Sequence, residues 1–338
     1  MAIVIRLVRI ALGLGAFGLS LLAIMAFLGF AVPVFDVLNH LQFLLFPGLI
    51  VALVIVTPLL GANRWRQFIL AVTATGLLFS AFTVVPEAMA ALQPRPPLPT
   101  DGRQVIKMMT HNLFGLNYDM QRVAGVVAEE TPDIIALQEY FGEQSSELEP
   151  LLSAKYPYSV HCRGGKRANI ALYSRLPFQQ LDDHACPDDA YGTTRSGHII
   201  VTFTLADGTR FSVMTTHLDW PAPKIARQAG QFETIREAVS KIDTPLVLAG
   251  DFNSTPWSYT FRGFVSSAGL TRQDHNVFTF PVRFYIARAW RDTWPPLLPL
   301  DHVMTKGPIE VHDLHAGPAT GSDHLPLVFT FSVGSGPA

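Results

Sequence analysis

The chain has 338 residues, of which 49% are hydrophobic and only 15% charged, and its formal net charge is −2. A single core rarely grows beyond roughly 250–300 residues and soluble domains carry roughly 25% charged residues, which excludes one ordinary soluble globule over this length. The near-neutral balance also excludes a protein that grips a polyanion by bulk positive charge.

The charge deficit lies at the N-terminus. No charged residue stands between Arg9 and Asp36, between Asp36 and Arg64, or between Arg66 and Glu87. Each gap holds an apolar run close to the ~20 residues a spanning helix needs. The pattern predicts a membrane region, 1–90, with three transmembrane helices at about 10–32, 41–62 and 67–86. A cleaved signal peptide competes for the first, and the two later spans argue against it. Arg6 and Arg9 precede the first span and Arg64 and Arg66 separate the second from the third, whereas residues 33–40 hold no Lys or Arg. Cytoplasmic loops carry the excess of Lys and Arg, so the N-terminus is expected in the cytoplasm. Three crossings then deliver the rest of the chain to the extracytoplasmic side, with Arg95 the nearby cation that argues the other way. The expectation is a multi-pass protein of the inner or plasma membrane, with the bilayer as a partner.

Residues 91–103 contain Pro94, Pro96, Pro97 and Pro99 and read as an extended, semi-rigid linker that holds a domain, 104–338, off the bilayer. From there the pattern alternates: strand 104–111, helix 118–130, strand 133–138, helix 144–154, then short strands near 156–162, 168–174, 197–205 and 210–217. Helix 221–241, strand 245–250 and helix 257–268 follow. Helices interleaved with strands, then consecutive strands, then helices again suggest two packed sheets with helices outside rather than one doubly wound sheet. The part after the membrane region, 91–338, is mildly acidic: setting aside Arg6, Arg9, Arg64, Arg66, Asp36 and Glu87 leaves 21 Lys+Arg against 25 Asp+Glu. Cys162 and Cys186 both fall in it, where an oxidising compartment permits a disulfide; two buried thiols in neighbouring strands fit equally well.

A polar side chain with metal or phosphate affinity closes nearly every expected strand. Asn112 closes 104–111, Glu139 follows 133–138, and His217 ends 210–217. The apolar run 245–249 leads into Gly250-Asp251-Phe252-Asn253, which places a carboxylate and an amide at the mouth of a buried strand, where they can share one phosphate or water. Asp301 opens a late strand, and Ser322-Asp323-His324 supplies a late imidazole. One face of a sandwich can collect them all.

At these residues the sequence resembles the endonuclease/exonuclease/phosphatase superfamily, which includes deoxyribonuclease I, abasic-site endonucleases, neutral sphingomyelinases and inositol phosphatases. The resemblance spans about 104–333. It is carried, in the family's order, by Thr110-His111-Asn112, Leu137-Gln138-Glu139, Thr216-His217-Leu218, Gly250-Asp251-Phe252-Asn253, Leu300-Asp301-His302 and Ser322-Asp323-His324. It implies a four-layer α/β/β/α sandwich of the deoxyribonuclease I type behind the three transmembrane helices, and divalent-metal-dependent hydrolysis of a phosphate ester. A hard cation, Mg or Mn, with oxygen ligands neutralises the anionic ester and stabilises the leaving oxygen. The resemblance implies Glu139 as metal anchor, with Asn112 near it and Asp323 assisting the metal or His324. Asp251 would orient or deprotonate the attacking water and Asn253 would hydrogen-bond the phosphate. His217 would donate to a non-bridging oxygen, and Asp301 would hold one ring nitrogen of His324, which acts as base or as cationic stabiliser. One departure is Phe114, where some nucleases of the superfamily carry an Asp two residues after the matching Asn; this leans away from the abasic-site branch.

His302 and His111 sit next to site residues on strands, so they point to the opposite face and read as packing histidines. Arg195 can fork onto a substrate phosphate, or form a surface salt bridge. Residues 278–300 are unusually aromatic for a loop leading into the site. Tyr285, Trp290 and Trp294, with Arg283, Arg288 and Arg291, suit a membrane interface, and a flap packed over the sandwich fits as well. The substrate favoured is a lipid or lipid-linked phosphate, since tethering raises local concentration at the bilayer and the domain lacks net positive charge. An extracytoplasmic nuclease acting on nucleic acid is the alternative, and a catalytically silent binding protein a further one.

Overall fold

The computed structural model describes residues 1–163, 167–181, 186, 196–286, 289–292 and 295–334. The chain forms two compact units, one of Met1–Gln93 with Thr255–Gly263, the other of Pro94–Ser254 with Phe264–Ala338.

The first unit contains α1 (Ala2–Phe27), α2 (Pro33–Asp36), α3 (Gln42–Val51), α4 (Thr57–Leu59) and α5 (Arg64–Ala91). They make up three helical stretches long and apolar enough to cross a membrane, Ile3–Phe30, Pro33–Leu59 and Arg64–Ala91. The first and third outrun their charge-free windows, because backbone hydrogen bonding continues through Arg6, Arg9 and Arg66. Asn63 starts α5 by accepting the Arg66 N–H at 2.8 Å, an N-cap the hydropathy pattern does not register. The second stretch includes Asp36 and is interrupted by a 3-10 segment at Val37–Leu41 and a wide turn at Ala52–Val56. Small residues let α1 and α5 approach: a Cβ on Gly76 would lie 3.1 Å from the Ser20 backbone, and Ser20 Oγ donates to Ala16 O at 2.6 Å and meets Thr73 Oγ1 at 3.2 Å.

After the membrane stretches the chain runs β1 (Val105–Asn112), α6 (Met120–Glu130), β2 (Ile134–Gln138), α7 (Gly142–Leu152), β3 (Tyr158–Cys162), β4 (Ile170–Ser174), β5 (Phe178–Gln180), β6 (Gly197–Thr204), β7 (Arg210–His217), α8 (Ile225–Ser240), β8 (Leu246–Asp251), α9 (Tyr259–Ser267), β9 (Thr271–Arg272), β10 (Arg283–Ile286), β11 (Ala289–Asp292), β12 (Asp301–Lys306), β13 (Ile309–Ala316) and β14 (Leu327–Val333), all in the second unit except the start of α9, which belongs to the first. Two six-stranded sheets, β13-β14-β1-β2-β4-β3 and β5-β6-β7-β8-β12-β9, pack face to face; β10 and β11 form a separate hairpin. Period-two alternation sorts the side chains. Ile106 and Met108 enter the inter-sheet core with Val201, Phe203, Val213 and Val247, whereas Met109 faces outward under Val123, Val127 and Leu148 of α6 and α7. On the other side Phe232 of α8 stacks on Phe252 and Phe264. The result is the α/β/β/α sandwich expected. Strand β8 is buried on both faces, which is why it reads as an unbroken apolar run.

Helix boundaries differ where local chemistry intervenes. Helix α8 begins at Ile225 rather than 221 because residues before Pro221 and Pro223 disfavour the helical region. Helix α6 begins after Asp119, whose side chain accepts the Arg122 N–H at 3.0 Å. The linker has no helix or strand up to Val105, but it does not stand free: Arg95 Nη2 donates to Gln273 O at 2.8 Å and Pro96 O meets His312 Nδ1 at 3.2 Å. Cys162 and Cys186 are joined in a disulfide across a separation of 24 residues.

Candidate active site

Two strand pairs are parallel, β1 with β2 and β7 with β8. Their C-terminal ends meet at one edge of the sandwich, and the site is built there. Register does most of the assembly: Asp251 pairs with His217 on one side and Asp301 on the other, while Asn112 pairs with Gln138, the neighbour of Glu139. Gln138 ties the sheets together beneath the site, donating from Nε2 to Thr110 Oγ1 at 3.1 Å and Thr215 Oγ1 at 3.0 Å. Gly250 is required by the close approach of β7, since a Cβ there would stand 2.2 Å from Thr216 O.

Asp251 Oδ2 is the hub. Asn112 Nδ2 donates to it at 2.8 Å, His217 Nε2 lies 3.4 Å away and His324 Nε2 3.8 Å. Its Oδ1 accepts the Asn253 N–H at 2.8 Å, which bends the chain so that Asn253 adopts φ +47°. Asn253 Nδ2 then donates to Leu218 O at 2.8 Å and stands 3.4 Å from His217 Nε2. Glu139 is also left-handed, φ +52°, as is Phe114, φ +61°. Three such residues around one site mark backbone strain held by its surroundings. Glu139 Oε2 accepts the Gly115 N–H at 2.7 Å, and Oε1 points toward His217 Nε2 at 3.8 Å.

Asp301 Oδ2 holds His324 Nδ1 at 2.7 Å and accepts from Thr279 Oγ1 at 2.6 Å. Ser322 fixes the loop that carries His324: its Oγ donates to Asn112 O at 2.7 Å and accepts the His324 N–H at 3.0 Å. Burial alone would lower the His324 pKa, but the Asp301 and Asp251 carboxylates outweigh it and push it up to about 10, so the ring is cationic at neutral pH. Burial would raise Asp251, yet His324, His217 and the Asn112 amide hold it well below the usual carboxylate range. Burial, then the Arg167 guanidinium, depress His217, leaving it neutral. Asp323 is pushed up to about 6 by burial, with Glu139 and Asp251 adding to the rise and His324 opposing it.

The sequence reading brought Asn112, Glu139, His217, Asp251, Asn253, Asp301, Asp323 and His324 together, and in space they form one cluster. Asn112, across the strand pair from Gln138, gives its amide to Asp251. Arg195 lies outside the described residues, as do the side chains of Tyr285, Arg288, Trp290 and Trp294. The described part of the aromatic stretch joins the site loop: Val282 N–H donates to Asp323 O at 2.9 Å and Arg283 Nη1 to Gly321 O at 2.8 Å. His302 does face away from Asp301, but it is no mere packing ring, since its nitrogens contact Asp274 Oδ2 at 2.6 Å and Ser254 O at 2.8 Å. His111 meets Thr320 Oγ1 at 2.7 Å.

Motif reasoning missed two residues. Buried Arg167 reaches Asp219 Oδ1 through Nε at 2.9 Å, Glu139 Oε1 through Nη1 at 3.4 Å, and lies against His217 Nε2. Asp219, two residues beyond His217, carried the one available signal, an acid beside a motif. Arg167 had none, because its partners are 28, 50 and 52 residues away.

The donor set fits a hard divalent cation. Asp251, Asp301 and His324 offer ligand atoms within 4.8 Å of one another, and Asp301 Oδ1 is buried with no hydrogen-bond partner among the described residues. Because His324 is cationic and committed to Asp301, the oxygen atoms are the better ligands of that group. The set anticipated from sequence, Glu139, Asn112 and Asp323, adjoins this one: Asn112 Nδ2 lies 2.8 Å from Asp251 Oδ2, His217 Nε2 stands 3.4 Å from Asp251 Oδ2 and 3.8 Å from Glu139 Oε1, and Asp323 immediately precedes His324.

The sequence model of the Endonuclease/Exonuclease/phosphatase family matches residues 109–324. The chain belongs to this family. Members of the endonuclease/exonuclease/phosphatase family are metal-dependent hydrolases of phosphoester bonds, and this chain is an enzyme of that kind. No curated protein matches it. Among solved structures it is similar to an endonuclease/exonuclease/phosphatase from Beutenbergia cavernae DSM 12333, at 21% identity and TM-score 0.51, over 69% of this chain and 72% of that one. It is similar to D. rerio TDP2 complexed with single strand DNA product, at 15% identity and TM-score 0.54, over 68% and 100%. The family protein from Bacteroides vulgatus gives 18% identity and TM-score 0.54, over 69% and 100%. These likenesses concern the fold.

Proposed function

We propose that the chain is a membrane-anchored, divalent-metal-dependent phosphoesterase that hydrolyses a phosphate ester of a lipid or lipid-linked substrate outside the cytoplasm. Residues 1–90 form the membrane region, 91–103 the linker and 104–338 the catalytic domain. The convergence of Asn112, His217 and His324 on Asp251 Oδ2 carries the catalytic part of this reading. The three apolar helices, the placement of Arg6, Arg9, Arg64 and Arg66, and the Cys162–Cys186 disulfide support an anchored domain in an oxidising compartment.

When bound, Mg or Mn neutralises the ester and stabilises the leaving oxygen. Glu139, Asn112 and Asp323 would hold it, with Asp251 and Asp301 beside them. Asp251 orients the attacking water or takes its proton; its depressed pKa keeps it ionised, which suits orienting the water better than accepting the proton. Asn253 and neutral His217 orient the phosphate oxygens. Cationic His324, oriented by Asp301, stabilises developing negative charge or protonates the leaving oxygen. Arg167 braces Glu139 and His217 from behind.

A cavity of about 670 Å³ flanks the 322–325 loop, lined by Phe278, Val282, Pro296 and Leu325 with Arg122 and Arg283. None of Glu139, Asp251 and His324 lines it, so it serves the substrate's organic part rather than the reacting phosphate. Its lining also holds the Glu130 carboxylate and His315, so the two guanidinium groups are partly offset, and it is the apolar share of the lining that supports a lipid-borne substrate. The similarity to TDP2 with its DNA product supports the nuclease alternative, and the mildly acidic domain weighs against it.

The test is product release by the full-length protein in detergent micelles, with Mg, Mn or EDTA, on a lipid pyrophosphate, a phospholipid and plasmid DNA. Metal-dependent lipid turnover abolished by His324→Ala is the expected result. DNA cleavage alone selects the nuclease, and silence on all three, with a binding phenotype surviving His324→Ala, selects the binding protein.

A further inference from the structure

The unit that contains the apolar helices also contains Thr255–Gly263, a segment that starts two residues after Asn253. What holds this segment is one buried carboxylate in the stretch Pro33–Leu59. Asp36 accepts from Ser258 Oγ at 2.8 Å, Tyr259 N at 2.8 Å, Thr260 N at 2.9 Å, Thr260 Oγ1 at 2.8 Å and Asn39 Nδ2 at 3.0 Å. An acid so placed, at the start of an apolar span, is rarely incidental. It satisfies the first N–H groups of α9, which have no partner within their own helix, and meets the positive end of that helix. His40, one helical turn on, sits 3.0 Å from Thr255 Oγ1, and its Nδ1 accepts the Thr255 N–H at 3.1 Å.

Behind Asp36 the contacts continue into the helices. Asn39 Nδ2 also donates to Ala26 O at 2.9 Å, Gln42 Nε2 donates to Asn39 Oδ1 at 3.1 Å, and Ser80 Oγ of α5 donates to Gln42 Oε1. Asp36, Asn39, Gln42 and Ser80 are all buried. Every described polar contact of the Asp36 carboxylate is with a neutral donor, so no mobile basic side chain sets its position. A fully engaged buried network of this kind is rigid, because losing any member leaves a desolvated polar group behind.

We propose that Asp36 and His40 are positioning residues for the turn at 251–253, so that the membrane region sets catalytic geometry rather than serving only as an anchor. The proposal rests on the phosphoesterase reading for its catalytic consequence, though not for its structural one. Thr255 is held by His40, and the backbone between it and Asn253 is a single residue. A shift at Thr255 therefore reaches the strained Asn253 and the water-orienting Asp251 with little chain to absorb it. Misplacement of a reacting group by about 1 Å costs roughly 100-fold in rate.

The test uses full-length protein in detergent micelles: wild type, Asp36→Ala, and the milder pair Ser258→Ala with Thr260→Val, which removes both hydroxyl donors from the segment's side. Hydroxyl removal leaves α9 its backbone bonds to Asp36, so the pair decides the matter if Asp36→Ala fails to fold. Amide exchange is followed by mass spectrometry over peptides covering 250–263, and kcat and KM are measured on bis(4-nitrophenyl) phosphate with Mn. Asp36→Ala is expected to exchange at least about tenfold faster through 252–260, the pair less so. Its kcat should fall about 10- to 100-fold with KM within about threefold of wild type. Unchanged exchange at Phe252 and Asn253 overturns the proposal, as does faster exchange with full kcat, or a rise in KM alone. If wild type does not hydrolyse the diester, kcat and KM are read on the lipid pyrophosphate, phospholipid or DNA that it does turn over; if it turns over none of them the phosphoesterase reading fails, and the exchange at Phe252 and Asn253 still decides whether Asp36 positions the turn.

Discussion

Asp301→Asn removes one charge and almost no volume from the ion pair that sets the state of His324. With Asp301 Oδ2 at 2.7 Å from Nδ1, and Asp251 Oδ2 3.8 Å from Nε2, the ring is held at about 10 although burial lowers it. A pKa raised above its ordinary 6.5 contributes stability that is fully present below about pH 6.5 and is lost as pH rises through 10. The difference corresponds to roughly 5 kcal/mol, in line with the ~3–5 kcal/mol that breaking a buried pair costs. The amide oxygen of the substituted side chain can still accept from Nδ1, so the loss at pH 6.5 should be near the lower figure, about 3 kcal/mol. An adjacent opposite charge moves a pKa by about 1 to 3, so His324 in the variant should titrate between about 7 and 9. Urea unfolding of metal-free protein in EDTA, from pH 5.5 to 10, should show wild-type stability declining above pH 6.5 and the variant's decline ending earlier and smaller. Activity with Mn should fall about 100-fold at pH 7, with the alkaline limb moved down. Wild-type and variant stability curves of equal slope between pH 6.5 and 10 would refute the dyad.

Three further changes probe the rest of the site. Arg167→Lys keeps the charge but loses the fork that joins Asp219 to Glu139 and His217, so kcat should drop at least about tenfold with a melting shift of only a few degrees; wild-type kcat would remove Arg167 from the site. Glu139→Gln should weaken Mn binding by at least about tenfold in a calorimetric titration, and unchanged affinity would place the metal elsewhere. Gly250→Ala forces a Cβ to 2.2 Å from Thr216 O and should cost more than about 3 kcal/mol, read as loss of soluble folded protein.

Much of the site was legible because its residues cap strands. A strand end is marked locally, by an apolar run meeting a polar residue, so Asn112, Glu139, His217 and Asp251 were visible without any partner being known. The same holds for the charge-free windows of the three helices. Arg167 and Asp219 were not legible, because an isolated ion pair leaves no pattern when its members are 52 residues apart. The role of Asp36 was not legible for a related reason. As a lone charge in an apolar region it looks like a break between spans, whereas its burial depends on donors from Ser258, Tyr259 and Thr260, more than 220 residues later.

By itself, then, the chain's order of residues determined the apolar helices, the strand and helix periodicity of the sandwich and the identity of most groups at its edge. These are short-range properties, fixed by hydropathy over about 20 residues or by alternation over a few. Only the tertiary structure decided the strand order of the two sheets, the convergence on Asp251 Oδ2 and the ionisation pattern that follows. Each of those depends on distances between remote segments, and the energy of a charge depends on the charges and the water that folding places around it or removes.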